Sequence, residues 1–136
     1  MKKSIMAILL LTVCLTGCAP AAQTPQKETT TMAKYVMISP EEAKEMMDER
    51  NDILILDVRE DHEYKAGHVP GAKLLPLDSI AEDTAAAVIP AKDTTTLIYC
   101  RSGRRSKIAA DKLAELGYTD LFEFGGIIDW PYETEY

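Results

Sequence analysis

Thr95-Thr96-Leu97-Ile98-Tyr99-Cys100-Arg101-Ser102-Gly103-Arg104-Arg105-Ser106 contains the change of pattern that decides the fold. Residues 95–99 form an apolar, β-branched run without alternation, as expected of a strand buried on both faces. A polar, glycine-containing turn follows at residues 100–105. From Ser106 to Leu116 apolar positions recur at helical spacing, with Ile108, Ala109, Leu113 and Leu116 on one side and Gly117 at the C-cap. A buried strand, a tight loop and an amphipathic helix in that order make half of a βαβ unit.

The same grammar extends in both directions. Residues 35–38 are a short apolar run, and Ser39-Pro40-Glu41-Glu42 opens a helix with a capping box and proline in the first turn. Ala43, Met46 and Met47 lie at i, i+3 and i+4, a core stripe rather than a metal or cofactor site. Residues 53–56 (Ile-Leu-Ile-Leu) are a second buried strand, and Glu63 and Tyr64 belong to a short helix beyond it. Residues 73–77 are a short strand ended by Pro76, residues 78–88 an Ala-rich helix, and residues 121–124 the last strand. The alternation predicts an α/β domain with a central parallel sheet of about five strands and helices on both faces. Ligands in such sheets bind beyond the carboxyl ends of the strands. Two features fall at those ends, Asp57-Val58-Arg59 and Cys100.

The N-terminus sets the context. Met1-Lys2-Lys3, the apolar run 5–13 and Leu15-Thr16-Gly17-Cys18 describe a secretory signal peptide. The run is too short for a membrane-crossing helix, which needs roughly 20 apolar residues. Leu-Thr-Gly-Cys resembles the bacterial lipobox, which implies cleavage before Cys18 and its acylation. Residues 1–17 are then the signal, 18–34 the lipidated cysteine and linker, and 35–136 the domain. The implied location is outside the cytoplasm, lipid-anchored to a bacterial membrane and facing the periplasm or the cell exterior. In a cell with two membranes, Ala19 favours the outer one. The stretch 19–33 (APAAQTPQKETTTMA) reads as a flexible tether spanning roughly 20 Å on average.

Of the three cysteines, Cys14 leaves with the signal and Cys18 carries lipid, so Cys100 is the one free thiol of the mature chain. It has no partner for an internal disulfide, and an idle thiol in an oxidising compartment is a liability. The formal charge of −7 becomes −9 once Lys2 and Lys3 are removed. Such acidity disfavours nucleic-acid binding and serves solubility.

The loop after Cys100 suits a sulfur nucleophile acting on an anion. Successive backbone N–H groups between a strand end and a helix start converge into an anion-binding nest. Gly103 permits the backbone this needs, and three arginines add positive charge. A thiol placed there is expected to have a lowered pKa.

At these residues the sequence resembles a known family. The loop Cys100-Arg101-Ser102-Gly103-Arg104-Arg105-Ser106 is similar to the active-site loop of single-domain rhodaneses. Residues 57–72 (DVREDHEYKAGHVPGA) are similar to the family's second signature, and Gly125-Gly126-Ile127-Ile128-Asp129-Trp130 to a third. Together the three matches cover most of the chain from Tyr35 to Trp130. The resemblance implies a sulfurtransferase in which Cys100 attacks a small anionic donor such as thiosulfate, carries a persulfide and passes sulfur to a thiol or cyanide-like acceptor. It implies no metal and no organic cofactor, and membrane association by the N-terminal lipid only. Arg101, Ser102, Gly103, Arg104 and Arg105 are the candidate substrate-binding residues, with Arg101 and Arg105 foremost for donor contact. Asp57, Arg59 and His68 are supporting residues. Asp57 and Arg59 fix the sheet end, and His68 is a turn residue rather than a general base. Trp130 anchors the C-terminal segment.

Three rivals are weighed against this reading. Cysteine phosphatases and arsenate reductases use a comparable cradle, but with Cys-x5-Arg, and here that arginine position is Ser106. Rhodanese-like phosphatases also carry a loop one residue longer than the six-residue loop 100–105. A persulfide carrier with little turnover stays open. A thiol redox protein lacks the second cysteine of Cys-x-x-Cys.

Overall fold

The computed structural model describes residues 34–136; Cys14, Cys18 and most of the tether lie outside the described residues. The elements run β1 (Val36–Met37), α1 (Pro40–Glu49), β2 (Leu54–Asp57), α2 (Asp61–Lys65), β3 (Lys73–Leu74), α3 (Glu82–Val88), β4 (Thr96–Cys100), α4 (Arg104–Glu115) and β5 (Leu121–Gly126). Two 3₁₀ turns, Leu77–Ser79 and Ile127–Asp129, complete the course. All strand pairs are parallel, in the order β1-β5-β4-β2-β3. The long apolar runs β4 and β2 thus occupy the middle, where both faces of a strand are covered.

Alternation along these strands feeds two cores. Leu54, Leu56, Ile98 and Cys100 cluster with Ala85 and Ile89 from the α3 side and with Ala109, Ala110 and Leu113 of α4. Leu97, Tyr99 and Phe124 cluster with Ala43 of α1, with Val69 and with Trp130. Met46 and Met47 pack against this second core, as their spacing predicts. Each large side chain so enclosed contributes on the order of 1.5–3 kcal/mol.

Local signals act as expected at α1. The Ser39 hydroxyl accepts from Glu42 N at 3.1 Å, and the Glu42 carboxylate accepts from Ser39 N at 2.7 Å. Other boundaries differ from the sequence reading. The helix expected over 78–88 is split, because its first residues make a 3₁₀ turn after Pro76 and α3 starts only at Glu82. The helix expected to begin at Ser106 begins at Arg104, so Ser106 is a buried residue of its first turn. Ile108 is exposed and Ala110 takes its place in the core, since the buried arc of α4 is set by small residues close to β4 and β5.

Candidate active site

The parallel register sets Asp57 of β2 beside Tyr99 of β4, one residue before Cys100. This sheet end is built around Asp57, which is fully buried. Its carboxylate accepts from Arg59 Nε at 3.0 Å, from Arg59 Nη2 at 2.6 Å and from Tyr99 Oη at 2.6 Å. Arg59 also donates to Gly67 O at 2.8 Å, and Tyr99 Oη accepts from Val69 N at 3.1 Å. The network ties β2, β4 and the segment after α2 into one frame. Burial and the adjacent Asp57 push the Tyr99 phenol far above its usual range. Asp57 and Arg59, expected as supporting residues, form a buried ion pair at this sheet end.

Cys100 ends β4 with 1 % of its surface exposed, and it is the free cysteine of the described residues. Gly103 N–H donates to its Sγ at 3.1 Å, and Ser106 Oγ lies 3.5 Å from it. Burial raises the thiol, but hydrogen bonds from the Ser106 side chain and from the backbone of Ser106, Ser102 and Gly103 outweigh it. The net shift is downward, towards thiolate. Gly103 has φ +93°, a conformation that suits glycine. The Gly125-Gly126 pair backs the loop closely: a Cβ on Gly126 would stand 2.1 Å from Arg101 O.

The arginines divide. Arg105 is committed to Glu63 of α2, donating from Nη1 to Oε2 at 2.7 Å and from Nη2 to Oε1 at 2.8 Å. The guanidinium expected to contact the donor thus has a carboxylate partner within the chain and pins α4 to α2 beside the cysteine. Arg101 and Arg104 are exposed and form no ion pair among the described residues. Ser102 is exposed as well. Arg101 opens on a cleft of about 350 Å³ shared with Arg59, Glu63, Gly67, Ile127 and Ile128. A larger cavity of about 660 Å³, lined among others by Met47, Ile55, Trp130 and Tyr132, includes no residue of the Cys100 loop.

The Arg105 pairing, with burial opposing it, holds the Glu63 carboxyl at about 2, below its ordinary 4.5. A depressed acid stabilises the fold above its unfolded pKa and loses that contribution as pH falls through the folded value. Replacing Glu63 by Gln is therefore expected to lower stability at neutral pH by up to about 1 kcal/mol, screening included. The gap in melting temperature between wild type and E63Q closes between roughly pH 4.5 and pH 2. A gap that is constant over that interval contradicts the pairing.

His68 contacts Tyr64 and Glu135. Its Nδ1 meets Tyr64 O at 2.9 Å, its ring stacks on Tyr64 with centroids 3.7 Å apart, and Nε2 faces Glu135 at 3.3 Å. No hydrogen bond joins it to Cys100 among the described residues. Trp130 packs on Phe124 and donates from Nε1 to Glu133 O at 3.1 Å, anchoring the C-terminal segment. Two polar residues at the site were not among the candidate site residues. Ser106 lies beside Sγ, and Glu123 of β5, 2 % exposed, accepts from Ser106 Oγ at 2.5 Å. The available signal was a lone carboxylate inside the apolar run Leu121-Phe122-Glu123-Phe124.

The sequence matches the Rhodanese-like domain family over residues 39–131. It is 42 % identical over 74 residues to the thiosulfate sulfurtransferase PspE of Escherichia coli, covering 54 % of this chain and 70 % of that protein. It is 32 % identical over 108 residues to the thiosulfate sulfurtransferase GlpE of Pseudomonas putida, covering 76 % and 94 %. Against the probable adenylyltransferase/sulfurtransferase MoeZ of Mycobacterium tuberculosis, at 32 % identity, the chain spans only about a quarter of the relative's length. Among solved structures, a rhodanese-like domain protein from Staphylococcus aureus superposes with a TM-score of 0.64 at 32 % identity, covering 74 % of this chain and 96 % of that one. An E. coli rhodanese with anions gives 0.57 at 34 %, covering 61 % and 96 %. With three sequence signatures, the parallel sheet and the cysteine cradle in agreement, this chain belongs to the rhodanese-like domain family.

Proposed function

We propose that this chain is a sulfurtransferase that carries a sulfane sulfur as a persulfide on Cys100, and that it acts outside the cytoplasm, held to a membrane through lipid on Cys18. The observation that carries the catalytic reading is the Gly103 N–H aimed at a buried Cys100 Sγ from a six-residue loop. A thiolate in that cradle attacks the outer sulfur of thiosulfate; the S–S bond of the donor breaks with its electron pair on sulfite, and a Cys100 persulfide remains. An acceptor thiolate or cyanide then attacks the outer persulfide sulfur and returns Cys100 as thiolate. The loop N–H groups stabilise negative charge on sulfur at both stages without reorganising. Arg101 and Arg104, exposed and without an ion pair among the described residues, supply cations at the rim for an anionic donor. Ser106 at the position of the phosphatase arginine, with Glu123 behind it, makes the cradle a poor home for a phosphate oxyanion.

A carrier that holds the persulfide for a protein partner is the second reading. It is favoured by the depth of Cys100 and by 35 % identity over 99 residues to the putative sulfur carrier protein YrkF of Bacillus subtilis. Thiocyanate formation from thiosulfate and cyanide separates the two. Sustained turnover by the chain, absent from Cys100→Ser, supports the enzyme. A single stoichiometric transfer supports the carrier, and no transfer from a folded protein counts against both.

A further inference from the structure

The two buried carboxylates beside the site are handled differently. Asp57 has Arg59 as its cation. Glu123, 2 % exposed, forms no ion pair with any lysine or arginine among the described residues. Among the described residues its Oε1 accepts from Ser106 Oγ at 2.5 Å and from Gly125 N at 2.9 Å. Burying a carboxylate charge without a cation is costly, so packing alone does not account for glutamate at this position.

The geometry around Ser106 shows what it does. The hydroxyl has one proton and several acceptors around it: Glu123 Oε1, Gly103 O at 3.1 Å and Gly125 O at 3.3 Å. The short bond to the carboxylate is the strongest of these. Ser106 therefore gives its proton to Glu123 and turns a lone pair to Cys100, whose thiol donates across the 3.5 Å separation. The result is a line of donors, Sγ–H to Oγ–H to carboxylate, with both ends buried.

We propose that Glu123 is a positioning residue for the sulfur chemistry, holding one proton jointly with Cys100 through Ser106. When Cys100 ionises, its proton passes to Ser106 Oγ while the Ser106 proton passes to Glu123 Oε1. The Sγ–H and the original Oγ–H bonds break, a new Oγ–H and an Oε1–H bond form, and the negative charge moves from carboxylate to sulfur. No net charge is added to the buried site, and Ser106 now donates to the thiolate. The reverse transfer reprotonates Cys100 when an acceptor removes the sulfur. The other charged or titratable groups nearby are Arg105 of α4, which senses the Cys100 charge, and the Tyr35 phenol, which senses that of Glu123. This inference rests on Cys100 as the nucleophile.

The test is the pH dependence of Cys100 alkylation by iodoacetamide in the full chain, read on the tryptic peptide 93–101. Two groups that share a proton titrate as a pair. In wild type the logarithm of the rate is expected to rise, run flat over more than about one pH unit, and rise again. In Glu123→Gln a single rise of about tenfold per pH unit replaces it, the behaviour of one isolated ionisation. Ser106→Ala, which keeps the carboxylate but removes the bridge, is expected to lose the flat stretch as well. A single rise in wild type overturns the inference, whether or not either variant folds; so does a flat stretch that survives in Ser106→Ala. Iodoacetamide needs no sulfur donor, so a chain inert towards thiosulfate can still pass this test, and an active one can fail it.

Discussion

Gly126→Ala is expected to lower kcat/KM for thiosulfate by about a hundredfold or more, the scale of loss when a reacting group is displaced by about 1 Å. The added Cβ would stand 2.1 Å from Arg101 O, 2.5 Å from Arg101 C and 2.5 Å from Ser102 Cα. All three are backbone atoms, so no side-chain rotation relieves the overlap. Either the end of β5 swings away or residues 101–102 shift, and both movements disturb the loop that aims Gly103 N–H at Cys100. The Ile128 N–H to Arg101 O bond at 3.2 Å is lost with the same movement. Overpacking of this kind also costs about 1–3 kcal/mol of stability. Steady-state kinetics beside a thermal melt checks the prediction. Wild-type kinetics in the variant would mean that the loop tolerates displacement and that its geometry is not what activates Cys100.

Arg59→Ala carries the largest expected loss of stability, about 3–5 kcal/mol, because it leaves the fully buried Asp57 carboxylate without its cation. Against a typical domain stability of 5–15 kcal/mol this is a large share. Exposed pairs such as Lys44–Asp48 and Lys65–Asp61 are each worth no more than about 1 kcal/mol. The effect spreads because Asp57 also receives Tyr99 Oη, and Arg59 holds Gly67 O. Urea titration of Arg59→Ala, Asp57→Asn and the double variant measures it. The double variant is expected to be less destabilised than the sum of the singles, since it leaves no charge stranded. A loss below about 1 kcal/mol for Arg59→Ala would show that the pair is not desolvated.

The central architecture was legible because the buried strands 53–56 and 95–99 announce themselves as unbroken apolar runs, and Ser39, Pro40 and Glu42 mark a helix start without tertiary help. The position of Cys100 at a strand end, before a glycine and a helix start, was legible from the change of pattern over residues 95–106. What stayed hidden depends on contacts distant in sequence. Arg105 and Glu63 are 42 residues apart, and nothing near either shows that they pair. Glu123 and Ser106 meet only because β5 pairs with β4 and carries the carboxylate under the first turn of α4. The early start of α4 was missed because Gly103 caps it through a left-handed backbone instead of a hydroxyl, a signal weaker than Ser106 appeared to offer. Ile108 misled because spacing alone does not say which arc of a helix the sheet covers.

The mass of the Cys100-bearing peptide after exposure of the full chain to thiosulfate alone bears most directly on sulfur transfer. Wild type is expected to gain one sulfur atom at Cys100, to lose it on addition of cyanide with release of thiocyanate, and to show neither change as Cys100→Ser. A folded wild-type chain whose Cys100 keeps its unmodified mass, with thiosulfate and with polysulfide as donors, would contradict persulfide chemistry at this site.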